Sequence, residues 1–197
     1  GIRDVAPSRG LEDVYKRQEY EVVQGDDQIE VTELINDSRK VTEGSVFVCI
    51  SGAVSDGHAY VQQVAEKGAA AVIVEKDVEA PEGLTVIKVE NTRYALALTS
   101  AAYFGYPAEK LKVIGITGTK GKTTTTYMVK SILEEVGIKV GLIGTIEAII
   151  GDKSIPANNT TPESYTIQKY FSEMVEEGCE CVVMEVSSQG LKPVSYT

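Results

Sequence analysis

The sequence predicts an α/β protein in two parts. A small N-terminal α/β unit comes first, followed by the first half of a unit whose parallel sheet is built around a glycine-rich loop. Three observations carry this. Short apolar, β-branched runs recur at residues 45–50, 70–74, 84–89, 112–117, 139–145 and 181–186. Helix-forming stretches separate several of them, and strands that alternate with helices imply parallel pairing in a layered fold. A break at Gly105-Tyr106-Pro107 then divides the chain, because no helix continues through it.

Composition narrows the class. The chain has 197 residues, 43% hydrophobic and 24% charged, as in a soluble globular protein. Its net charge of −10 argues against a nucleic-acid polymer or an anionic membrane as partner. A small anionic ligand would need local positive charge against that field. Cys49, Cys179 and Cys181 are too few for a disulfide framework and read as reduced core thiols of a cytoplasmic protein. Cys179 and Cys181, two apart, are expected on one side of one strand, with no second ligand pair to make a zinc site. No apolar run approaches membrane-spanning length, and no signal peptide is visible.

In order along the chain, residues 1–18 show no period and read as a non-native or disordered tail. Their SRGLEDVYKRQ, like the closing PVSYT at 193–197, resembles translated adapter sequence. Residues 19–107 form the first domain. Glu30–Leu34 and Ser45–Ile50 read as strands, and Ala59–Lys67 as a helix with Val61, Val64 and Ala65 at helical spacing, stopped by Gly68. Ala70–Val74 and Leu84–Val89 are buried strands around a Pro-Glu-Gly turn. Asn91 is placed to cap a helix from Thr92 to Phe104, with Tyr94, Leu98 and Ala101 on one face.

Residues 108–197 form the second domain. Lys112–Thr117 reads as a buried parallel strand, followed by Gly118-Thr119-Lys120-Gly121-Lys122-Thr123-Thr124 and good helix formers to Glu135. Lys139–Thr145 is a strand, and Ile146–Ile155 a hairpin about Gly151-Asp152. Thr161 or Pro162 opens a helix to Glu177, with Thr160-Thr161 also readable as a plain helix cap. Cys181–Val186 is a strand that ends in Glu185.

Strand, glycine loop, Lys-Thr and helix is the arrangement that holds a nucleoside triphosphate. Successive loop N–H groups and the helix N-terminus offer partial positive charge to phosphate. Lys122 would reach the outer phosphates, and the Thr123 hydroxyl would meet magnesium. One departure is that Ile116 stands where the general pattern has its first glycine; the upstream glycine is Gly115. Glu185, a carboxylate at the C-terminal end of a parallel strand, is a candidate magnesium ligand or, on the other reading, a solvated strand-end acid. Ser38 and Arg39 read by themselves as turn residues, with Arg39 in a surface pair.

Four segments together carry a family resemblance: NDSRKVTEGSVFVCISGAVSDGH, GITGTKGKTTTT, NNTTPES and MEVSSQGL. In this order and at these spacings they are similar to the Mur ligases, and within them to the branch that adds the third residue of the peptidoglycan stem peptide. The resemblance runs from Glu19 to Leu191. It implies an ATP-driven amide ligase acting through an acyl phosphate, with UDP-N-acetylmuramoyl-dipeptide and a diamino acid as substrates and the protein a monomer. By motif, Gly118 to Thr124 would hold ATP, with Lys122 catalytic, and Thr123 and Glu185 would hold Mg2+. Asn36, Ser38, Ala53, Val54 and Ser55 would contact the uridine end of the sugar nucleotide. Asn159, Thr160, Thr161 and Ser187 would contact the muramoyl-dipeptide end. His58 does not match a catalytic position of the family, and Gln189 stands where relatives carry histidine. The resemblance also implies a chain that stops about halfway through its ATPase domain, lacks the C-terminal domain, exposes a sheet edge and is inactive alone. Another Mur or folylpolyglutamate-type ligase, or a non-catalytic nucleotide-binding remnant, is the alternative.

Overall fold

The computed structural model describes residues 19–26, 29, 31–52 and 55–188. The tail at 1–18, Ala53, Val54, Gln189 and the closing PVSYT lie outside the described residues. The described chain forms two compact units, one ending at Tyr103 and the other beginning at Phe104. Among the described residues no helix is long and apolar enough to cross a membrane.

The first unit is a five-stranded sheet in the order β1-β5-β4-β3-β2. Its strands are β1 (Tyr20–Gln24), β2 (Leu34–Ile35), β3 (Val46–Val48), β4 (Ala71–Val74) and β5 (Thr85–Val89). β2 through β5 are parallel neighbours in sequence order, as expected from the alternation. β1 was not anticipated and pairs antiparallel with β5. Its alternating half-buried and exposed residues, YEVVQ, mark an edge strand with little apolar signal. The strand expected at 30–34 reduces to Leu34–Ile35. Thr32 and Glu33 still bond across to Gly44 and Val46, but without a regular ladder.

The helix expected at 59–67 is a 3₁₀ turn at Gly57–Tyr60 running into α1 (Val61–Glu66). α1 buries Val61 and Val64 in a core with Ile35, Phe47, Val72 and Val86. Each such side chain contributes roughly 1.5–3 kcal/mol relative to exposure. α2 (Thr92–Tyr103) is capped by Asn91, whose Oδ1 accepts from the Arg93 and Tyr94 N–H groups, both at 3.0 Å. The single apolar face expected for it is corrected: every residue from Ala95 to Ala102 is buried. Thr99 and Ser100 are accommodated by bonding back to helix carbonyls.

The second unit is a mixed sheet in the order β6-β10-β7-β8-β9. It comprises β6 (Lys112–Ile116), β7 (Val140–Ile143), β8 (Glu147–Ile150), β9 (Lys153–Pro156) and β10 (Cys181–Glu185). β6, β10 and β7 are parallel, while β8 and β9 form the expected hairpin. β6 is not the buried strand its sequence suggests. Among the described residues it has a partner strand, β10, on one side only, and at that sheet edge Lys112, Val113 and Gly115 are exposed.

α3 (Lys122–Glu135) covers one face, over Val140, Cys181 and Val183. α4 (Ser164–Glu176) covers the other, over Ile143, Val182 and Met184. α4 begins at Ser164 with Glu163 at its N-cap, so neither Thr161 nor Pro162 opens it. The two cysteines also separate: Cys179 precedes β10 and packs under α4, while Cys181 faces α3. All three thiols are free and buried.

Candidate functional site

The glycine loop joins β6 to α3. Gly121 occupies the N-cap position of α3 at φ +77°, a left-handed conformation that side-chain-bearing residues rarely adopt. Lys122 then curls back, its Nζ donating to the Gly118 carbonyl at 2.9 Å. Thr125 and Thr126 donate to the carbonyls of Gly121 and Thr123 at 2.8 and 2.7 Å. Thr123 turns the other way, its hydroxyl donating to Glu185 Oε2 at 3.1 Å. Thr119 and Lys120 of the loop and Thr124 of α3 are exposed.

Sheet order explains that contact. β10 lies between β6 and β7, in register Glu185 to Ile116, so the C-terminal ends of all three strands meet. Glu185 is 0% exposed, which overturns the solvated strand-end reading. Its Oε1 accepts the Thr145 N–H at 2.8 Å, and Oε2 lies 3.1 Å from the Thr145 hydroxyl. Gly144 makes room for this: a Cβ there would stand 2.7 Å from Oε1. Among the described residues no lysine, arginine or histidine forms an ion pair with Glu185. Its buried charge meets only neutral donors, an incomplete environment for a carboxylate.

Thr145 was missed from the sequence, although a Gly-Thr pair closing the apolar run Val140–Ile143 was a readable signal. It links Glu185 to the next residues, its Oγ1 lying 3.1 Å from Thr160 Oγ1. Thr161 Oγ1 donates to the Glu185 carbonyl and accepts from the Ser187 N–H, both at 3.0 Å. Thr123, Thr160, Thr161, Glu185 and Ser187, far apart in sequence, therefore share one edge, with Asn159 exposed beside Thr160.

A shallow, open groove of about 750 Å³ adjoins the loop, lined by Thr123, Thr124, Tyr127, Met128, Ile146 and Glu147. At its back Tyr127 donates to Glu147 Oε1 at 2.6 Å, and Ser154 donates to the other oxygen. Burial and that hydrogen bond push the Tyr127 phenol up to about 12. Hydrogen bonds from Ser154 and Tyr127 hold Glu147 below the usual carboxylate range.

In the first unit, Asn36 and Ser38 follow β2 and are half-buried. Arg39 pairs with Asp37 at 2.7 Å, as the turn reading expects, and its hydrogen bonds lower the Asp37 carboxyl to about 2. Lys67 Nζ donates to the Ser38 carbonyl at 2.7 Å. Ser55 is exposed, and its carbonyl accepts from Gly52 N–H at 2.9 Å. Asp56 is held by Lys76 at 2.7 Å and by His58 Nδ1 at 2.6 Å, which keep it well below its ordinary value. His58, whose side chain is 7% exposed, accepts the Glu75 N–H on Nε2 at 3.0 Å, so Nδ1 carries the proton given to Asp56. Burial pushes the Glu75 carboxyl up, but hydrogen bonds from Ser51 and Thr92 outweigh it and leave the group lowered.

Comparison with known proteins agrees with both units. The family described as "Mur ligase family, catalytic domain" matches residues 30–104, and "Mur ligase middle domain" matches residues 116–196. A Clostridium perfringens protein named UDP-N-acetylmuramoyl-L-alanyl-D-glutamate--2,6-diaminopimelate ligase is 48% identical over 182 residues. That alignment takes in 92% of this chain and 38% of the relative, so the chain spans well under half the length of the curated relatives it matches. A solved structure of a ligase with the same name has a TM-score of 0.73 at 20% identity, over 89% of this chain and 36% of that one. MurF from Acinetobacter baumannii gives 0.61 at 26% identity, over 93% and 36%. With the strand order, the glycine loop and these matches in agreement, the chain belongs to the Mur ligase family.

Proposed function

We propose that this chain forms the sugar-nucleotide and ATP sites of a ligase that joins 2,6-diaminopimelate to UDP-N-acetylmuramoyl-L-alanyl-D-glutamate. The observation that carries the reading is the buried Glu185, reached by Thr123 of the glycine loop and lacking a cation among the described residues. The relatives' names favour this substrate pair, and diaminopimelate over lysine.

A hydroxyl and a carboxylate are the hard oxygen donors that magnesium takes from a protein, the rest of its shell coming from water and phosphate. Thr123 and Glu185 therefore fit as its holders. Bound there, the ion would neutralise charge on the phosphate oxygens. The backbone from Gly118 to Gly121, with Thr119, Lys120 and Thr124, would cradle the phosphates. Lys122 would leave the Gly118 carbonyl for the outer phosphate oxygens, where charge builds up during transfer. Asn159, Thr160, Thr161 and Ser187 would orient the muramoyl-dipeptide, and Asn36, Ser38, Ala53, Val54 and Ser55 the uridine end. The substrate carboxylate oxygen attacks the γ-phosphorus, the bond to the ADP oxygen breaks, and an acyl phosphate results. The incoming amine then attacks the acyl carbon, loses a proton and expels inorganic phosphate.

The same reading makes the protein a cytoplasmic monomer of peptidoglycan synthesis with no nucleic-acid or membrane partner. Calorimetry on the purified chain tests it. Magnesium-dependent ATP binding together with binding of UDP-N-acetylmuramoyl-L-alanyl-D-glutamate, in preference to its tripeptide, is expected. Tighter binding of the tripeptide or of a folate would transfer the protein to another ligase branch. ATP binding with no UDP-sugar binding would end the ligase reading in favour of a nucleotide-binding remnant.

A further inference from the structure

We propose that Glu75 is a positioning residue of the sugar-nucleotide site, anchoring Ser51, the first stem of the segment that carries Ser55, for the uridine end. The inference rests on the reading of the first unit given above. Glu75 follows β4, on the same C-terminal sheet edge as Asn36 and Ser38 after β2 and Ser55 after β3.

Three of its groups reach three different elements. Oε1 accepts the Ser51 hydroxyl at 2.8 Å. Oε2 accepts from the Thr92 hydroxyl at 2.9 Å and its N–H at 3.3 Å, at the start of α2. Its own N–H donates to His58 Nε2 at 3.0 Å. Ser51 is further fixed through its carbonyl, which accepts from Arg93 Nη2 at 3.2 Å, and through a bridge to Asp56. Asp56 is tied in turn to His58 and Lys76.

The two stems are already joined by backbone bonds, Gly52 N–H to Ser55 O and Gly57 N–H to Ile50 O, both 2.9 Å. The additional clamp from a half-buried carboxylate requires desolvating a charge, which closure alone does not call for. Its effect is to fix both stems of the segment that carries Ser55, removing conformational freedom that a ligand would otherwise have to order.

The test compares Glu75→Ala, Glu75→Gln and a destabilised control, Val64→Ala, in the whole chain. Binding of UDP-N-acetylmuramoyl-L-alanyl-D-glutamate and of ATP is measured by calorimetry well below each variant's melting temperature. Exchange of the Gly52 and Gly57 amides is followed alongside. Glu75→Ala is expected to weaken the sugar nucleotide about 10-fold or more, with faster exchange at both amides and unchanged ATP affinity. Glu75→Gln keeps an acceptor for Ser51 and falls between Glu75→Ala and the unaltered protein. Val64→Ala lowers the melting temperature and leaves sugar-nucleotide affinity within about twofold. The inference is overturned if Glu75→Ala binds within about twofold of the unaltered chain, if the two amides stay protected, or if Val64→Ala costs as much affinity. An unaltered chain that binds ATP but no sugar nucleotide would instead remove the underlying reading, and this inference with it.

Discussion

The two sheet edges treat their carboxylates in opposite ways. In the first unit Asp37 and Asp56 are paired with cations of the protein itself, Arg39 and Lys76, while the half-buried Glu75 is held by the Ser51 and Thr92 hydroxyls and the Thr92 N–H. In the second, Glu185 is more deeply buried than any of them and, among the described residues, receives two hydroxyls and one N–H and no cation. The cation closest to it in sequence logic, Lys122, is turned onto the Gly118 carbonyl. The first edge answers its two exposed-side aspartates with its own cations, Arg39 and Lys76. The second withholds positive charge, which suits it to receive a cation together with an anionic ligand.

Breaking the second edge gives the largest expected effect. Glu185→Ala should abolish the magnesium dependence of ATP binding, weakening it about 100-fold in calorimetry at fixed magnesium. Unchanged magnesium dependence would erase the contrast between the edges. Lys122→Met should weaken ATP roughly 10- to 100-fold while leaving the melting temperature nearly unchanged, since its bond to Gly118 is an exposed one. A large loss of stability instead would show that the lysine is structural.

Thr145→Val tests the residue that sequence reading passed over. It keeps the N–H to Glu185 and removes the hydroxyl, at a cost of about 1 kcal/mol in urea unfolding. A neutral result would mean that Thr123 and the Thr145 N–H satisfy the carboxylate without the Thr145 hydroxyl. The smallest effect belongs to the first edge. Asp37 has its folded value lowered from 3.8 to about 2, so its stabilisation is complete above pH about 4 and is lost as pH falls through about 2. Asp56 is lowered too and behaves in the same sense. Arg39→Ala should remove the Asp37 part of that acid sensitivity, changing the melting temperature at neutral pH by no more than about 1–2 °C, because the pair is exposed. A larger shift would mean that the first edge depends on its surface charges more than its geometry indicates.

Much of the fold was legible, and the misses share a cause. Buried strands such as Val140–Ile143 and Cys181–Glu185 announce themselves by continuous apolar runs. β1 does not, because an edge strand with half-exposed alternation has no need of them. The same ambiguity misled in the other direction at β6, whose composition suits a sheet interior while its place is the edge. α3 shows the matching feature, with its Met128 and Ile132 exposed at 60 and 64%, and Val136 just past its end at 70%. α2 read as one-faced because small residues such as Ala97 and Ala102 carry little periodic signal, yet they allow close packing on every side.

The site divides along the same line. By itself the sequence determined the glycine loop with Lys122 and Thr123, the cap at Asn91, the hairpin about Gly151 and the strand that delivers Glu185. Each of these rests on local chemistry: φ freedom at glycine, a side chain that satisfies helix N–H groups, or a short apolar run. Only the tertiary structure decided that β10 inserts between β6 and β7, which buries Glu185 and brings Thr123, Thr145, Thr160 and Thr161 around it. It alone decided that Glu75 joins Ser51 to Thr92. Strand order and register depend on contacts between residues tens of positions apart, and a local pattern of residues carries no record of those distances.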